Sequence, residues 1–179
     1  MNNNYPRYQI TSTFGEVSEA DWYYAQSELA LERGDLYVGF ADLTINSGQS
    51  AYLQMDTGSS KSVFVIGYTI TTNSPRLSEF IIEAPTLTSG TTPLTIHNSN
   101  RQSSNTPDFV IYSDPAGVTG GTIIDQTETY EAKKAVGSLA EATQTRLQLA
   151  KNETYILKIT NGDNSNHDVF VKFYLHEST

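Results

Sequence analysis

The sequence predicts an all-β fold, a β-sandwich or jelly roll of about eight to ten short antiparallel strands behind an N-terminal arm and one short helix. Two observations carry this. Between Leu36 and Leu175, short runs of β-branched and aromatic residues alternate with Gly, Asn, Ser, Thr and Pro punctuation. Several runs alternate strictly, with Val169, Val171, Phe173 and Leu175 set against Phe170, Lys172 and Tyr174, the period of a strand with one buried face.

Residues 1–17 are polar, with Tyr5-Pro6 and Phe14-Gly15 as the only punctuation, and read as an extended arm. Ser18 is suited to cap a helix, with Asp21 at its third position. Trp22, Ala25 and Leu29 fall on one face before Arg33-Gly34 closes the segment. Residues 1–34 are therefore expected to form arm and helix, and residues 35–179 the sandwich domain. The helix either packs over one end or face of the sandwich or, with the arm, reaches a neighbouring subunit. In the second case Tyr5, Tyr8, Trp22, Tyr23 and Leu29 are the candidate assembly residues.

The strands follow in order: Leu36–Leu43, Ala51–Met55, Ser62–Ile70, Glu79–Ile82, Pro93–Ile96, Asp108–Tyr112, Thr122–Ile124, Arg146–Leu149, Thr154–Thr160 and Asp168–Leu175. Asn46–Gln49 and Thr57–Lys61 are short enough for hairpin connections, and Asn161-Gly162 is the pair favoured in tight turns with positive φ. Asn98–Pro107 and Asp114–Gly121 read as longer polar loops. Residues 127–145, rich in acids, Ala and helix formers, read as an excursion between strands with room for a helical turn.

Composition sets the outer limits. At 179 residues the chain is one domain, or one domain with an arm. Without Cys it has neither disulfides nor thiolate chemistry. Eleven Lys and Arg against 20 Asp and Glu give a net charge of −9, a field that repels phosphate backbones and disfavours nucleic acid as a partner. The longest apolar run, Val63 to Gly67, is far short of the ~20 residues of a membrane span. The start Met1-Asn-Asn-Asn lacks the basic and apolar regions of a signal peptide, so the expectation is a soluble protein with no membrane partner.

Asp56-Thr57-Gly58-Ser59 looks like the signature of pepsin-type and retroviral aspartic proteases. That chemistry needs two carboxylates sharing one proton, so a single motif serves only in a homodimer. The alternative is a tight turn between strands, and the expectation is no enzyme. His97, His167 and His176 lack metal-ligand spacing, and the loop from Gly162 to Asp168 lacks the order of a calcium loop, so no metal or cofactor is expected. Asn152-Glu153-Thr154 is a formal glycosylation sequon. Tyr37, Tyr52, Tyr68, Tyr155 and Tyr174 sit inside predicted strands and are read as strand filling in preference to a sugar platform.

The segment Glu83–Pro107 has a Pro-Thr step, a Gly-containing turn and an Asn-Arg-Gln-Ser-Ser loop, followed by a strand to Tyr112 and the turn Asp114-Pro115. With Tyr52–Lys61 before it and Lys151–Asn161 after it, it resembles small virion proteins of tailed bacteriophages. The resemblance covers most of Leu36–Leu175 and excludes the arm and helix. It implies a sandwich that decorates or cements a capsid or belongs to a head or tail fibre, with no catalytic residues to transfer. The expected partners are a major capsid protein and copies of the chain itself, as a homotrimer, on the capsid surface of a virion made in the host cytoplasm. The competing reading is a receptor- or carbohydrate-binding module, with glycan as ligand and Asn98, Asn100, Arg101, Asn105 and Asp114 as candidate loop residues.

Overall fold

The computed structural model describes residues 28–129, 139–143 and 147–178. Residues 28–33 are helical (α1). The strands are β1 (Leu36–Ile45), β2 (Ser50–Thr57), β3 (Ser62–Thr72), β4 (Leu77–Glu83), β5 (Thr86–Thr88), β6 (Ile96–Asn98), β7 (Phe109–Tyr112), β8 (Ala116–Thr119), β9 (Thr122–Thr129), β10 (Leu139–Thr143), β11 (Leu147–Leu149), β12 (Thr154–Asn161) and β13 (His167–Ser178).

They form two packed antiparallel sheets. The first has the order β10-β3-β13-β1-β6, with β11 also on β3, and the second has the order β7-β2-β12-β4-β9. Successive strands from β1 to β4, and again β12 and β13, lie in opposite sheets. Every connection between them therefore crosses the sandwich, and each strand pairs with one distant in sequence. This is the jelly roll. Its eight strand positions, β1–β4, β9, β10 with β11, β12 and β13, fall within the expected eight to ten, and the short strands β5–β8 bring the described total to thirteen.

The crossings correct the reading of three turns. Asn46–Gln49 closes with Gln49 N–H donating to Asn46 O at 3.0 Å, and Thr57–Lys61 is equally short, but both pass between sheets and neither joins paired strands. Asn161-Gly162 is not a positive-φ turn, because Asn161 is the fully buried last residue of β12 and Gly162 has no positive φ. The Asn161 amide group instead ties the crossings together. Its Nδ2 donates to Ile45 O at 3.1 Å and Ser165 O at 2.7 Å, and its Oδ1 accepts from Asp163 N–H at 3.0 Å and Ser74 Oγ at 3.3 Å.

Two segments read as loop or helix former are strand. Residues 139–143, from the Ala-rich stretch, form β10 on β3, where ladder pairing overrides helix propensity. Ala116–Thr119 forms β8 against β5. The strand expected at Pro93–Ile96 begins only at Ile96, Pro93 making an isolated bridge to Tyr112, since proline has no N–H for a ladder. Between β4 and β9 the chain thus makes an excursion in which β6 extends the edge of the first sheet beside β1 and β7 that of the second beside β2.

Inward residues of both sheets form the core, among them Tyr37, Ile45, Val63, Ile70, Val171 and Leu175 facing Leu53, Ile81, Phe109, Ile111, Leu157 and Ile159. Each fully buried aliphatic side chain contributes about 1.5–3 kcal/mol. A cavity of about 30 Å3, lined by Leu53, Met55 and Phe173 among others, admits nothing larger than a water.

The end of α1 matches the sequence reading. Gly34 has φ +73°, its N–H donates to Leu31 O at 3.0 Å, and Asp35 N–H donates to Ala30 O at 2.9 Å, the two bonds of a Schellman cap. The remainder of the predicted helix, residues 18–27, lies outside the described residues.

Candidate functional site

The outer face of the first sheet carries large apolar side chains that its own fold leaves in solvent. Alternation on β1 sends Tyr37 and Ala41 inward and Phe40 outward. On β13 it sends Val169, Val171, Phe173 and Leu175 inward and Phe170, Lys172 and Tyr174 outward. Phe40 is 39%, Phe170 36% and Tyr174 36% exposed, which marks them apart from the core aromatics Tyr37, Phe109 and Phe173. Register sets Phe40 opposite Lys172, Asp42 opposite Phe170, and Val38 opposite both Tyr174 and His97.

The rings form a continuous strip across β6, β1 and β13. Phe40 stacks on Phe170 with centroids 5.8 Å apart and meets His97 at 6.4 Å. The Lys172 ammonium lies 5.7 Å from the Phe40 ring and 4.6 Å from that of Tyr174, so one cation bridges two rings. Towards α1 the strip continues with Phe64 and His176, stacked at 5.6 Å. Burial lowers the His176 pKa and Arg33 lowers it further, while the negative charges of Asp35 and Glu177 oppose the shift. Leu36 pairs with His176 and Glu177 N–H donates to Asp35 O at 2.9 Å, which places the end of α1 beside this edge of the strip.

The candidate loop groups are engaged within the fold. Asn98 Nδ2 donates to Gly34 O at 2.7 Å, Asn100 Nδ2 to Glu32 O at 3.2 Å, and Asn105 Nδ2 to Arg33 O at 3.1 Å. These three amides satisfy the carbonyls at the end of α1, where helices leave acceptors without intrahelical donors. Arg101 is exposed in the same loop. Asp114 is drawn into its own turn: Oδ1 accepts from Thr91 and Thr92 N–H, each at 2.8 Å, and Oδ2 from the two hydroxyls. These bonds, the Thr92 N–H first, hold its carboxyl below the usual range.

Of the candidate assembly residues, Leu29 is half-buried on α1, and Tyr5, Tyr8, Trp22 and Tyr23 lie outside the described residues. Asp56 belongs to β2, where Oδ1 accepts from Thr154 Oγ1 and Oδ2 from Gln54 Nε2, each at 2.7 Å. Thr57 Oγ1 donates to Ala150 O at 2.7 Å, and Gly58 is needed because a Cβ there would lie 2.1 Å from Asp108 O. The Asp-Thr-Gly-Ser stretch therefore builds a strand end and a crossing. Asp108 holds that crossing through Ser60 N–H at 2.9 Å, Ser60 Oγ at 2.6 Å and Lys61 N–H at 3.0 Å.

His167 bonds Asn73 Oδ1 at 2.9 Å and Asp163 Oδ2 at 2.7 Å. Among the described residues no group of three or more His, Cys, Asp or Glu is placed to hold a metal ion. No protein-family model, curated protein or solved structure matches the chain.

Sequence reasoning assigned Tyr174 to strand filling. It matched the buried Tyr37, Tyr68 and Tyr155 but missed the outward Phe40, Phe170, Tyr174, Lys172 and His97. The signal was present in the alternation of β13, whose outward phase sets Phe170 and Tyr174 on either side of Lys172.

Proposed function

We propose that this chain is a structural protein of a virion, a jelly-roll subunit that decorates a capsid and docks through its outer sheet face. The observation that carries the reading is the strip of Phe40, Phe170 and Tyr174 bridged by Lys172, a flat aromatic surface on a rigid sheet. Contiguous exposed apolar surface of this kind is characteristic of interaction sites, and aromatic residues lead the energetics of protein interfaces. The resemblance of Tyr52–Lys61, Glu83–Pro107 and Lys151–Asn161 to small phage virion proteins supports the same role. So does the arithmetic of a lattice, where many weak contacts per particle add up to firm attachment.

The glycan alternative is less well supported. Its loop amides Asn98, Asn100 and Asn105 are engaged with α1. Immunogold electron microscopy of intact particles with antibody to this chain tests the proposal. Even labelling over the head is expected. Labelling confined to tail tips or fibres would move the assignment to receptor binding, and absence of labelling would overturn it.

A further inference from the structure

We infer that the aromatic strip on the first sheet is the seat for residues 1–27 of a second copy of this chain, so that neighbouring subunits are joined by arm exchange. The inference rests on the virion reading, which supplies neighbours at high local concentration.

Three observations identify the occupant. The described chain begins at residue 28, in a helix whose end is clamped beside the strip: Leu36 pairs with His176, Glu177 N–H donates to Asp35 O at 2.9 Å, and the three Asn amides fix Glu32, Arg33 and Gly34. The six described residues of α1 span about 9 Å, so its first residue, Glu28, lies within about that distance of the clamped end. The arm of residues 1–17 alone reaches about 55 Å when extended, more than the roughly 40 Å diameter of a compact domain of this size, enough to cross onto a neighbour.

Their chemistry also fits the face. They carry Tyr5, Tyr8, Phe14, Trp22, Tyr23 and Tyr24, rings that pair edge-to-face or offset with exposed Phe and Tyr.

The test uses full-length chains. One copy carries the photo-crosslinking residue p-benzoylphenylalanine in place of Phe40, and it is mixed with wild-type chain labelled with heavy nitrogen. Irradiation is expected to join light peptides around position 40 to heavy peptides from residues 1–27. Cross-links between light peptides only would mean that each arm covers its own face, and cross-links to no part of residues 1–27 would mean a different occupant. Either outcome overturns the inference.

A second measurement uses sedimentation of two variants, Phe40→Ser/Phe170→Ser/Tyr174→Ser and Tyr8→Ser/Trp22→Ser/Tyr23→Ser. Each alone is expected to self-associate at least about tenfold more weakly than wild type, as loss of interface aromatics does. Their equimolar mixture is expected to regain association, because one copy keeps its face and the other its arm. A mixture no tighter than either variant sinks the proposal. Unchanged thermal unfolding of both variants shows that folding is not the cause. Particle labelling is read separately, so failure of arm exchange with a labelled head leaves the virion role standing, and exchange without labelling removes only that role.

Discussion

Single side chains at the two ends of the sandwich decide whether the crossings hold. At one end Asn161 bonds to segments from the β1–β2, β3–β4 and β12–β13 crossings. Asn161→Ala leaves Ile45 O and Ser165 O without that donor, so a loss of about 2–3 kcal/mol is expected in urea unfolding. At the other end the fully buried Glu177 carboxylate pairs with Lys61 Nζ at 2.7 Å and accepts from Asp108 N–H. Lys61→Met would strand that charge and is expected to cost about 3 kcal/mol, with Lys61→Met/Glu177→Gln recovering part of it. Two pKa shifts, among others, contribute to the acid limb of stability. Hydrogen bonds from Ser60, its side chain first, hold Asp108 below its ordinary 3.8. Its contribution is present above that value and fades as pH falls through the depressed folded value. Burial holds His176 below 6.5, so the neutral ring is favoured in the fold, and its contribution likewise fades as pH falls below 6.5. The urea midpoint should decline in two stages on acidification, His176→Gln flattening the first and Ser60→Ala the second.

Among the elements, α1 and the loop from Asn98 to Asn105 form one unit, because the loop amides cap the helix carbonyls. Gly34 is its tightest point: φ is +73°, and a Cβ would lie 2.0 Å from Ser103 Oγ. Gly34→Ala is expected to cost about 1–3 kcal/mol by left-handed strain and crowding, read as a lower unfolding midpoint. The face variant Phe40→Ser/Phe170→Ser should leave stability nearly unchanged, since surface positions contribute little. The strands most legible in the sequence were those with one wet and one dry face, such as β13 with Val169, Val171, Phe173 and Leu175 inward. Strands β5 and β8 were illegible because Thr86, Thr88, Ala116, Gly117 and Thr119 are all exposed, so burial imposes no period on them. The aromatic strip was hidden for the opposite reason. On β1 the outward Phe40 is larger than the inward Ala41, so size alone suggests the wrong face. The asparagine loop was read as polar surface because its hydrogen-bond partners lie 64–72 residues earlier in the chain.

At the scale of the whole molecule, the jelly roll was legible as a class, but its topology was not, because alternation reports which face a residue occupies and not which strand lies beside it. Asn161-Gly162 shows the limit: as a local pair it specifies a hairpin turn, and in the fold it joins strands of opposite sheets. The same topology fixes the order of events in folding. Both β12 and β13 are interior strands, β12 lying between β2 and β4, and β13 between β3 and β1. Until they arrive, β1 and β3, like β2 and β4, have no ladder to join them, and closing such distant pairings is slow. A ribosome releasing this chain early would therefore yield a product with two half-sheets, each missing its middle. Nascent chains should stay protease-sensitive until β13 clears the exit tunnel, and then become resistant in one step. Under the proposed virion role, that step would act as a proofreading device, admitting only copies translated through β13.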